Sequence, residues 1–281
     1  MIRAPCSLDR HFRLMANTTT TKRKTLGRSG GKAARKSGGL LDTVKTVVYA
    51  ILIAAVVRTV AFEPFNIPSG SMIPTLLIGD YLFVAKYAYG YSHFSLPFSP
   101  DIFPGRIFGS VPQRGDVVVF KLPRDTSTDY IKRVIGLPGD TVQVKDGQLY
   151  INGQEVPRQE IGDYTVADEF PPEVDKEYLE TLPGGRAHDI LKRFSTGVID
   201  GLDPNNTEVY TVPPHMLFMM GDNRDNSMDS RYQNDVGFVP MENLVGKAEF
   251  IFFSIGGTAP WWEFWLWPVE IRWSRILQGI T

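Results

Sequence analysis

The sequence predicts a mainly β protein: an antiparallel β-sheet core with a smaller inserted β/loop lobe, preceded by one apolar N-terminal helix. Short β-branched and aromatic segments alternate with turns rich in glycine and proline. Asp-Gly at 146–147 and Asn-Gly at 152–153 separate such segments, and these pairs are strong hairpin signals. Helix signals are sparse after the apolar run, which favours the mainly β class.

Residues 1–44 are predicted to form a disordered basic tail. Eleven lysine and arginine residues lie between Met1 and Lys45, against only Asp9 and Asp42, and the segment has no apolar period. The net charge of −1 gives the whole chain no attraction to nucleic acid, and no nucleic-acid partner is predicted. Met15 is an alternative start.

Residues 45–63 are predicted to form a transmembrane anchor. As a helix, the apolar run at 46–62 would span about 25 Å, the short end for a bilayer. Arg58 lies one turn from its end and can reach the interface, so its depth is left open. The alternatives are a cleaved signal peptide, disfavoured by the long basic segment before it, and a buried soluble helix. Because the basic flank is N-terminal, the tail should stay in the cytoplasm and the body outside.

Residues 64–152 and 211–255 are predicted to form the β core, and residues 153–210 an inserted lobe or long loops. A turn followed by a strand is predicted at 77–86, and further strands at 117–120, 130–135, 141–144, 148–151, 212–220, 237–240 and 247–253. The segment 256–281 carries all five tryptophans, at Trp261, Trp262, Trp265, Trp267 and Trp273. Clustered tryptophans near arginines are typical of a membrane interface, but packing on the body is an equal alternative.

The composition predicts neither a metal site nor a cofactor. The four histidines are scattered, and the single cysteine, Cys6, rules out an intrachain disulfide. The Asp-rich segment 221–231 is a competing metal candidate. It fails the EF-hand pattern, because counting from Asp222 puts Ser227 and Gln233 where glycine and glutamate are required.

The segment 65–76 carries two serines, Ser69 and Ser71, on either side of Gly70 and between two prolines. Proline fixes φ and glycine permits a tight turn, so we expect a stiff, partly buried loop that presents two hydroxyls. An ordinary solvated turn is the alternative. A Ser-x-x-Lys site is excluded because Pro74 stands three residues after Ser71.

Lys132 is the candidate base. On a strand, Tyr130 and Lys132 share one face while Ile131 and Arg133 share the other; both faces are largely apolar, so one cation must be buried or paired. Burial can lower a lysine pKa from about 10.4 by roughly 3–5 units, which yields a base for a serine hydroxyl. A solvated edge lysine is the alternative. The polar cluster 221–231 is either a solvated loop or a rigid network supporting a site.

Four segments in order resemble the bacterial type I signal peptidases (leader peptidases), which are membrane-anchored Ser/Lys proteases. They are Pro-Ser-Gly-Ser-Met-Ile-Pro-Thr-Leu at 68–76, Arg-Gly-Asp-Val-Val-Val-Phe at 114–120, Tyr-Ile-Lys-Arg-Val-Ile-Gly-Leu-Pro-Gly-Asp at 130–140 and Gly-Asp-Asn-Arg-Asp-Asn-Ser-Met-Asp-Ser-Arg at 221–231. The resemblance covers roughly residues 45–253. The chain departs from the family at 233–236, which lengthen the last segment, and in having one anchor where some members have two.

The resemblance implies roles for individual residues. Ser71 corresponds to the nucleophile, Lys132 to the general base, and the Ser69 hydroxyl with the Ser71 N–H to the oxyanion hole. Ser227 corresponds to the hydroxyl that orients the lysine. The implied supporting residues are the pairs Asp229 with Arg231 and Asp222 with Arg133, and Tyr130 beside the base. The implied substrate pocket is lined by Ile67, Met72, Leu76, Tyr130 and Ile131, with Phe65 nearby.

The implied activity is removal of signal peptides from exported preproteins, with small residues preferred before the cut. The implied place is the bacterial inner membrane, with the catalytic domain on the periplasmic face, and the implied partners are preproteins and phospholipid. A non-catalytic, membrane-tethered periplasmic peptide-binding domain is the alternative. A self-cleaving Ser/Lys regulator would need a DNA-binding helix-turn-helix, for which residues 1–45 offer no pattern.

Overall fold

The structure is a computed structural model that describes residues 40–96, 99–100, 102–166, 173–193, 203–256, 265 and 267–281. Most of the predicted basic tail therefore lies outside the described residues. The chain divides into two units, Met1–Lys45 and Thr46–Thr281. All of the β-sheets lie in the second unit.

The N-terminal helix α1 spans Leu40–Val60. Within it, Asp42–Val60 is long and apolar enough to cross a membrane, with a mean hydropathy of 1.8, and none of the span is buried in the protein. A helix that is apolar all round is typical of a lipid environment, because a helix on a soluble core has one polar face. The helix ends three residues earlier than the predicted anchor, since Phe62 already belongs to a strand and Pro64 cannot continue a helix.

The described residues contain fourteen strands and a second, short helix α2 (Trp267–Glu270). The strands are β1 (Phe62–Asn66), β2 (Asp80–Ala85), β3 (Val117–Leu122), β4 (Asp125–Gly136), β5 (Thr141–Lys145), β6 (Gln148–Ile151), β7 (Gln154–Glu155), β8 (Arg158–Val166), β9 (Glu173–Thr181), β10 (Ala187–Lys192), β11 (Tyr210–Thr211), β12 (Met216–Met220), β13 (Val239–Pro240) and β14 (Leu244–Ser254). The predicted mainly β class is confirmed.

Three antiparallel sheets share these strands. The main sheet has the order β1-β2-β14-β3-β4-β12-β13, so β1 is an edge strand. The second has the order β11-β5-β6-β7 and the third β10-β9-β8. Both predicted hairpin turns are confirmed: Asp146 and Gly147 between β5 and β6, and Asn152 and Gly153 between β6 and β7, all have positive φ. This pair of left-handed residues gives the type I′ turn that matches the strand twist.

The structure shows how the strands of the predicted core and of the inserted lobe are divided among the sheets. The segment 153–210, expected to be a lobe or long loops, contains the whole three-stranded sheet, and β5 and β6 lie outside the main sheet although we placed them in the core. Most residues of β8 are exposed or half-buried on both faces. The apolar residues Ile161, Tyr164 and Val166 do not alternate regularly along one face of β8, which explains why the sequence did not reveal the strand.

The loop between β1 and β2 is built into the core. Met72 and Leu76 are fully buried in one hydrophobic cluster with Leu82 and Val119. The next residue after Met72, Ile73, packs in a second cluster with side chains of β8 and β10. The loop is therefore fixed between the main sheet and the three-stranded sheet.

The C-terminal segment is attached to β2. Arg275 donates to the Asp80 carboxylate at 2.6 Å and to the Thr75 carbonyl at 2.9 Å. Trp265 and Trp273 are 61% and 64% exposed, so these two rings do not pack as core. The side chains of the other three tryptophans lie outside the described residues.

Candidate active site

Ser71 lies in a single 3-10 turn, Gly70–Met72, inside the loop between β1 and β2. The residue is 9% exposed, so little of its surface contacts solvent. The main chain of Asn223 donates to the Ser71 carbonyl at 3.1 Å, and its side-chain amide donates to the Gly70 carbonyl at 3.3 Å. These two bonds hold the serine turn against the polar segment 221–231.

Lys132 comes from the centre of β4, where it pairs in register with Val118 of β3. The residue is 4% exposed, and its amine donates to the Ser71 hydroxyl at 2.6 Å. The ring of Tyr130 lies on the same side of the strand, with its centroid 5.3 Å from the amine. The structure thus brings together the two residues that the sequence analysis singled out, although 61 positions separate them.

Burial lowers the pKa of the Lys132 amine from 10.5 to about 8. Removal from water disfavours the charged form, and Arg231 adds a smaller repulsion; the carboxylates of Asp229 and Asp222 oppose the shift but do not cancel it. A sizeable fraction of the amine is then neutral near physiological pH. A neutral amine at this distance can accept the proton of the Ser71 hydroxyl.

Arg133, next along β4, points to the other side of the sheet and is fully buried. Its guanidinium makes two bonds to the Asp222 carboxylate, at 2.8 and 2.7 Å, and a third to the Gly115 carbonyl. The Thr75 hydroxyl donates to the same carboxylate at 2.6 Å. Burial alone would raise the pKa of Asp222, but Arg133 outweighs it and holds that pKa below its usual value.

A second buried ion pair lies within the polar segment. Arg231 donates to both carboxylate oxygens of Asp229 at 2.8 Å, and the Gly221 N–H donates to the same carboxylate at 3.0 Å. Arg231 also bonds to the carbonyl of Arg224. The segment expected to be either a solvated loop or a rigid network is therefore a buried network.

Ser227 is 7% exposed, and its hydroxyl has no hydrogen-bond partner among the described residues. The bond to Lys132 implied by the family resemblance is therefore not present in this structure. Gly221 separates Ser227 from the serine turn: a Cβ on Gly221 would collide with the Ser227 side chain and with the Ser71 carbonyl. This close approach explains why glycine occupies position 221.

A cleft of about 440 Å³ lies between the edge strand β1 and strand β4. It ends at Lys132, and Phe65, Ile67 and Ile131 supply its apolar walls. Ser69, which is exposed, lines the same cleft. The remaining lining residues are Asn66, Pro68, Val119, Thr128, Asp129 and Tyr130.

Two of the expected pocket residues do not line this cleft. Met72 and Leu76 have no exposed surface and belong to the hydrophobic cluster against which Phe65 and Ile131 pack. The 3-10 turn at Gly70–Met72 directs Ser71 toward β4, and the next apolar side chains then turn into the core.

Sequence reasoning missed Thr75 and Asn223, the two residues that tie the serine loop to the buried pair and to the polar segment. Both lie inside the segments that resemble the family, but a threonine or asparagine in a polar turn has no specific spacing signal. In the described ranges, no group of three or more His, Cys, Asp or Glu side chains is placed to hold a metal ion.

Comparisons with known proteins identify the family of this chain. The family model described as signal peptidase, peptidase S26, matches residues 40–253. The chain belongs to this family. It is 43% identical over 249 residues to the signal peptidase I of Rickettsia typhi, covering 83% of this chain and 90% of that protein.

Two further members of the family extend the comparison. The signal peptidase I of Rickettsia conorii is 47% identical over 218 residues, covering 76% of this chain and 79% of that protein. A solved structure of a signal peptidase I from Enterococcus faecalis aligns with a TM-score of 0.29 and 30% identity, over 49% of this chain and 97% of that one. Membership of the S26 family supports a serine peptidase activity for this chain.

Proposed function

We propose that the protein is a membrane-anchored serine endopeptidase that removes N-terminal signal peptides from exported preproteins. The observation that carries the proposal is the 2.6 Å contact between the Lys132 amine and the Ser71 hydroxyl in a buried site. The relatives named signal peptidase I, at 43–47% identity, supply the substrate class. Ser71 acts as the nucleophile and Lys132 as the general base.

The proposed reaction proceeds through an acyl-enzyme. Neutral Lys132 takes the Ser71 proton as the oxygen attacks the scissile carbonyl, and the lysine then protonates the leaving amine. The Ser69 hydroxyl and the Ser71 N–H stabilise the oxyanion, an effect of about 3–4 kcal/mol per donor in well-studied proteases. Lys132 afterwards activates the water that releases the signal peptide.

The buried network around the dyad sets its geometry. Arg133 with Asp222 fixes the strand that carries Lys132, and Asp229 with Arg231 fixes the segment beneath the serine turn. In the proposal, the Ser227 hydroxyl, which has no hydrogen-bond partner in the described part of the chain, orients the lysine amine once substrate is bound. Tyr130 covers the amine from the side of the cleft.

The cleft supports an extended peptide as substrate. Strand β1 pairs only with β2 in the main sheet, so its other edge can bond to a peptide strand lying between β1 and β4. Side chains just before the cut would then face Ile67, Ile131 and Phe65. These walls leave a shallow apolar space, which favours small residues such as alanine at the positions one and three before the cut.

Helix α1 is proposed as the anchor in the bacterial inner membrane, with the basic tail in the cytoplasm and the β body on the outer face. An excess of lysine and arginine on one side of a single span sets that orientation. The anchor would hold the cleft close to the membrane surface, where the cleavage site of a translocated preprotein emerges.

The test is cleavage of a purified preprotein by the full-length protein in detergent. We expect Ser71→Ala and Lys132→Met each to lower kcat/KM by at least about 10³-fold, since both act on the reacting atoms. Lys176→Met is the matched control, because Lys176 is a lysine of β9 with ion pairs at the surface. Persistent cleavage by either dyad variant would contradict the proposal. Binding without cleavage by the wild type would favour the peptide-binding alternative.

A further inference from the structure

The three-stranded sheet of β8, β9 and β10 is bonded to the polar segment through Leu191 of β10. The Leu191 N–H donates to the Asp222 carbonyl at 2.9 Å, and the Arg224 N–H donates to the Leu191 carbonyl at 3.0 Å. Between these two residues, the Asn223 N–H donates to the Ser71 carbonyl at 3.1 Å. The three residues of the polar segment, which we call the link segment, therefore contact β10 and the serine turn at the same time.

A buried ion pair holds the link segment from a second strand of the same sheet. Glu180 of β9 has no exposed surface, and Arg224 is only 3% exposed. The Arg224 guanidinium donates to both oxygens of the Glu180 carboxylate, to one of them at 2.9 Å. Paired bonds of this kind fix the orientation of a guanidinium as well as its distance. The end of the link segment is therefore fixed relative to β9 as well as to β10.

The pair with Glu180 restrains a movement that the bonds to β10 leave open. Besides Leu191, β10 bonds to this region through Lys192, whose amine lies 2.7 Å from the Asp225 carboxylate. These attachments follow one another along β10, so by themselves they allow the link segment to rotate about the direction of that strand. Glu180 lies on the neighbouring strand, to one side of this line, and its bonds to Arg224 oppose the rotation.

His188 separates this ion pair from the pair of Arg133 and Asp222. It lies opposite Glu180 in the register of β9 and β10. Its Nε2 is 3.6 Å from the Glu180 carboxylate and 3.9 Å from the Asp222 carboxylate. Burial and, to a smaller extent, the charge of Arg133 lower the pKa of the imidazole from 6.5 to about 4, so the ring is neutral near pH 7. Each of the two buried carboxylates thus keeps its own arginine.

The serine loop also packs against the three-stranded sheet. Ile73, the residue after the serine turn, is 2% exposed and lies in one cluster with Leu191 of β10 and Val166 of β8. Two residues further on, the Thr75 hydroxyl donates to the Asp222 carboxylate at 2.6 Å. The three-stranded sheet and the link segment therefore form one side of the support of the loop that carries Ser71.

We propose that Glu180 is a positioning residue for Ser71, so that the inserted lobe completes the active site. Glu180 orients Arg224, and through the link segment the Asn223 N–H is directed at the Ser71 carbonyl. The lining of the cleft includes neither Glu180 nor Arg224, so we expect an effect on the orientation of the nucleophile and not on substrate binding. The inference rests on the proposed function, in which Ser71 attacks the scissile carbonyl.

The test is cleavage, by the full-length protein in detergent, of a soluble peptide with alanine at the positions one and three before the cut. Glu180→Gln keeps the length of the side chain but removes its charge and one acceptor oxygen. We expect kcat to fall at least about tenfold, because a misplaced nucleophile slows the chemical step. KM should change by less than about twofold, since the cleft is untouched. Glu160→Gln is the matched control, because Glu160 of β8 pairs with Lys176 at the surface, and its kcat should equal that of the wild type.

The double variant Glu180→Met/Arg224→Met separates positioning from stability. Replacement of a buried ion pair by apolar side chains of similar volume often leaves stability unchanged, but it removes the bonds that oppose the rotation. We expect a urea midpoint close to that of the wild type, with kcat still at least about fivefold lower. Because this variant leaves neither partner of the pair buried and unpaired, it decides the question if Glu180→Gln does not fold.

Two results would overturn the inference while the wild type remains active. A wild-type kcat in the double variant would show that the ion pair contributes only stability. A raised KM at unchanged kcat in Glu180→Gln would assign Glu180 to substrate binding instead. Absence of cleavage by the wild type would overturn the proposed function and the inference together, so the two failures are distinguishable.

Discussion

The Lys132 amine donates to the Ser71 hydroxyl at 2.6 Å, and no carboxylate of the described residues lies within ion-pair distance of it. Lys86, a second buried lysine of the described residues, is different, because its amine lies 2.8 Å from the Glu63 carboxylate. A buried ammonium without an ionic partner is costly, and release of its proton relieves the cost. Burial without an ionic partner therefore lowers the pKa of Lys132, which suits the amine to its proposed role as the base.

The first prediction concerns the pH dependence of cleavage. Because the base must be neutral and its pKa is about 8, kcat/KM should rise about tenfold per pH unit below pH 8 and level off above it. The measurement is kcat/KM for a soluble peptide from pH 6 to 10, with unfolding followed at each pH as a control. A flat profile between pH 6 and 9 would contradict the assignment of Lys132 as the base.

The second prediction is that Lys132→Met stabilises the protein near pH 7. The folded-state pKa of about 8 is below the ordinary 10.5, so between these values the unfolded chain binds more protons and stability rises with pH. Below pH 8 the buried ammonium of Lys132 lowers the unfolding free energy of the wild type by roughly 3 kcal/mol, the full effect of the pKa difference. The unfolding free energy of Lys132→Met should therefore exceed that of the wild type by much of this amount at pH 7 and by little of it at pH 10.

Denaturant unfolding in detergent at the two pH values measures this difference. Lys176→Met is the control: Lys176 bonds the Asp163 carboxylate at the surface, and such pairs contribute about 0–1 kcal/mol. The prediction fails if the two variants show the same change in unfolding free energy at pH 7.

The third prediction concerns the buried pair of Arg133 and Asp222. Asp222→Asn leaves the guanidinium buried without its counter-charge, which should cost about 3–5 kcal/mol of unfolding free energy. The matched control is Asp163→Asn, which removes one surface partner of Lys176 and should cost less than about 1 kcal/mol. Urea unfolding gives both losses of unfolding free energy from the shift in the midpoint, provided that the slope with urea concentration is unchanged. Equal losses for Asp222→Asn and Asp163→Asn would show that the buried pair is not a structural requirement.

Much of the main sheet could be predicted from the sequence because its strands are buried on one or both faces. The apolar run at 117–120 is fully buried in β3. The two type I′ turns consist of Asp-Gly and Asn-Gly, the pairs that favour this turn. Strand β8 could not be predicted, because its few apolar residues do not alternate regularly along one face.

The sequence singled out Ser71 and Lys132, which the structure brings together, but it did not indicate all of the contacts around them. Ser71 and Lys132 stand out through the family segments, and local burial was enough to expect a depressed lysine pKa. Met72 and Leu76 were placed in the pocket because a linear motif does not tell which side of a 3-10 turn each side chain takes. Thr75 bonds to Asp222, and Asn223 bonds to Ser71; these partners are distant along the chain, and the sequence does not specify them.

The fourth prediction concerns Gly221, which separates Ser227 from the serine turn. Gly221→Ala would drive a methyl group into the Ser227 side chain and the Ser71 carbonyl, so the turn must shift. We expect kcat to fall at least about 10²-fold, because an ångström of misplacement at a reacting atom has that effect. The control is Gly162→Ala, since a Cβ there would meet nothing within 4 Å. Full activity of Gly221→Ala would show that the serine turn is more adaptable than its packing indicates.

The fifth prediction concerns the width of the cleft beside Lys132. Ile131 lines the cleft and packs against the cluster of Ile67 and Met72, so Ile131→Ala should enlarge the space for the residue before the cut. Relative to the alanine substrate, kcat/KM for peptides with valine or leucine at that position should rise about 10- to 100-fold, the usual value of one or two methylenes in an apolar pocket. The measurement is the ratio of kcat/KM values for peptides that differ only there.

Ile161→Ala, on the exposed face of β8, should leave the ratio unchanged. If Ile131→Ala lowers kcat/KM for all peptides equally, Ile131 supports the strand that carries Lys132 and does not select the substrate.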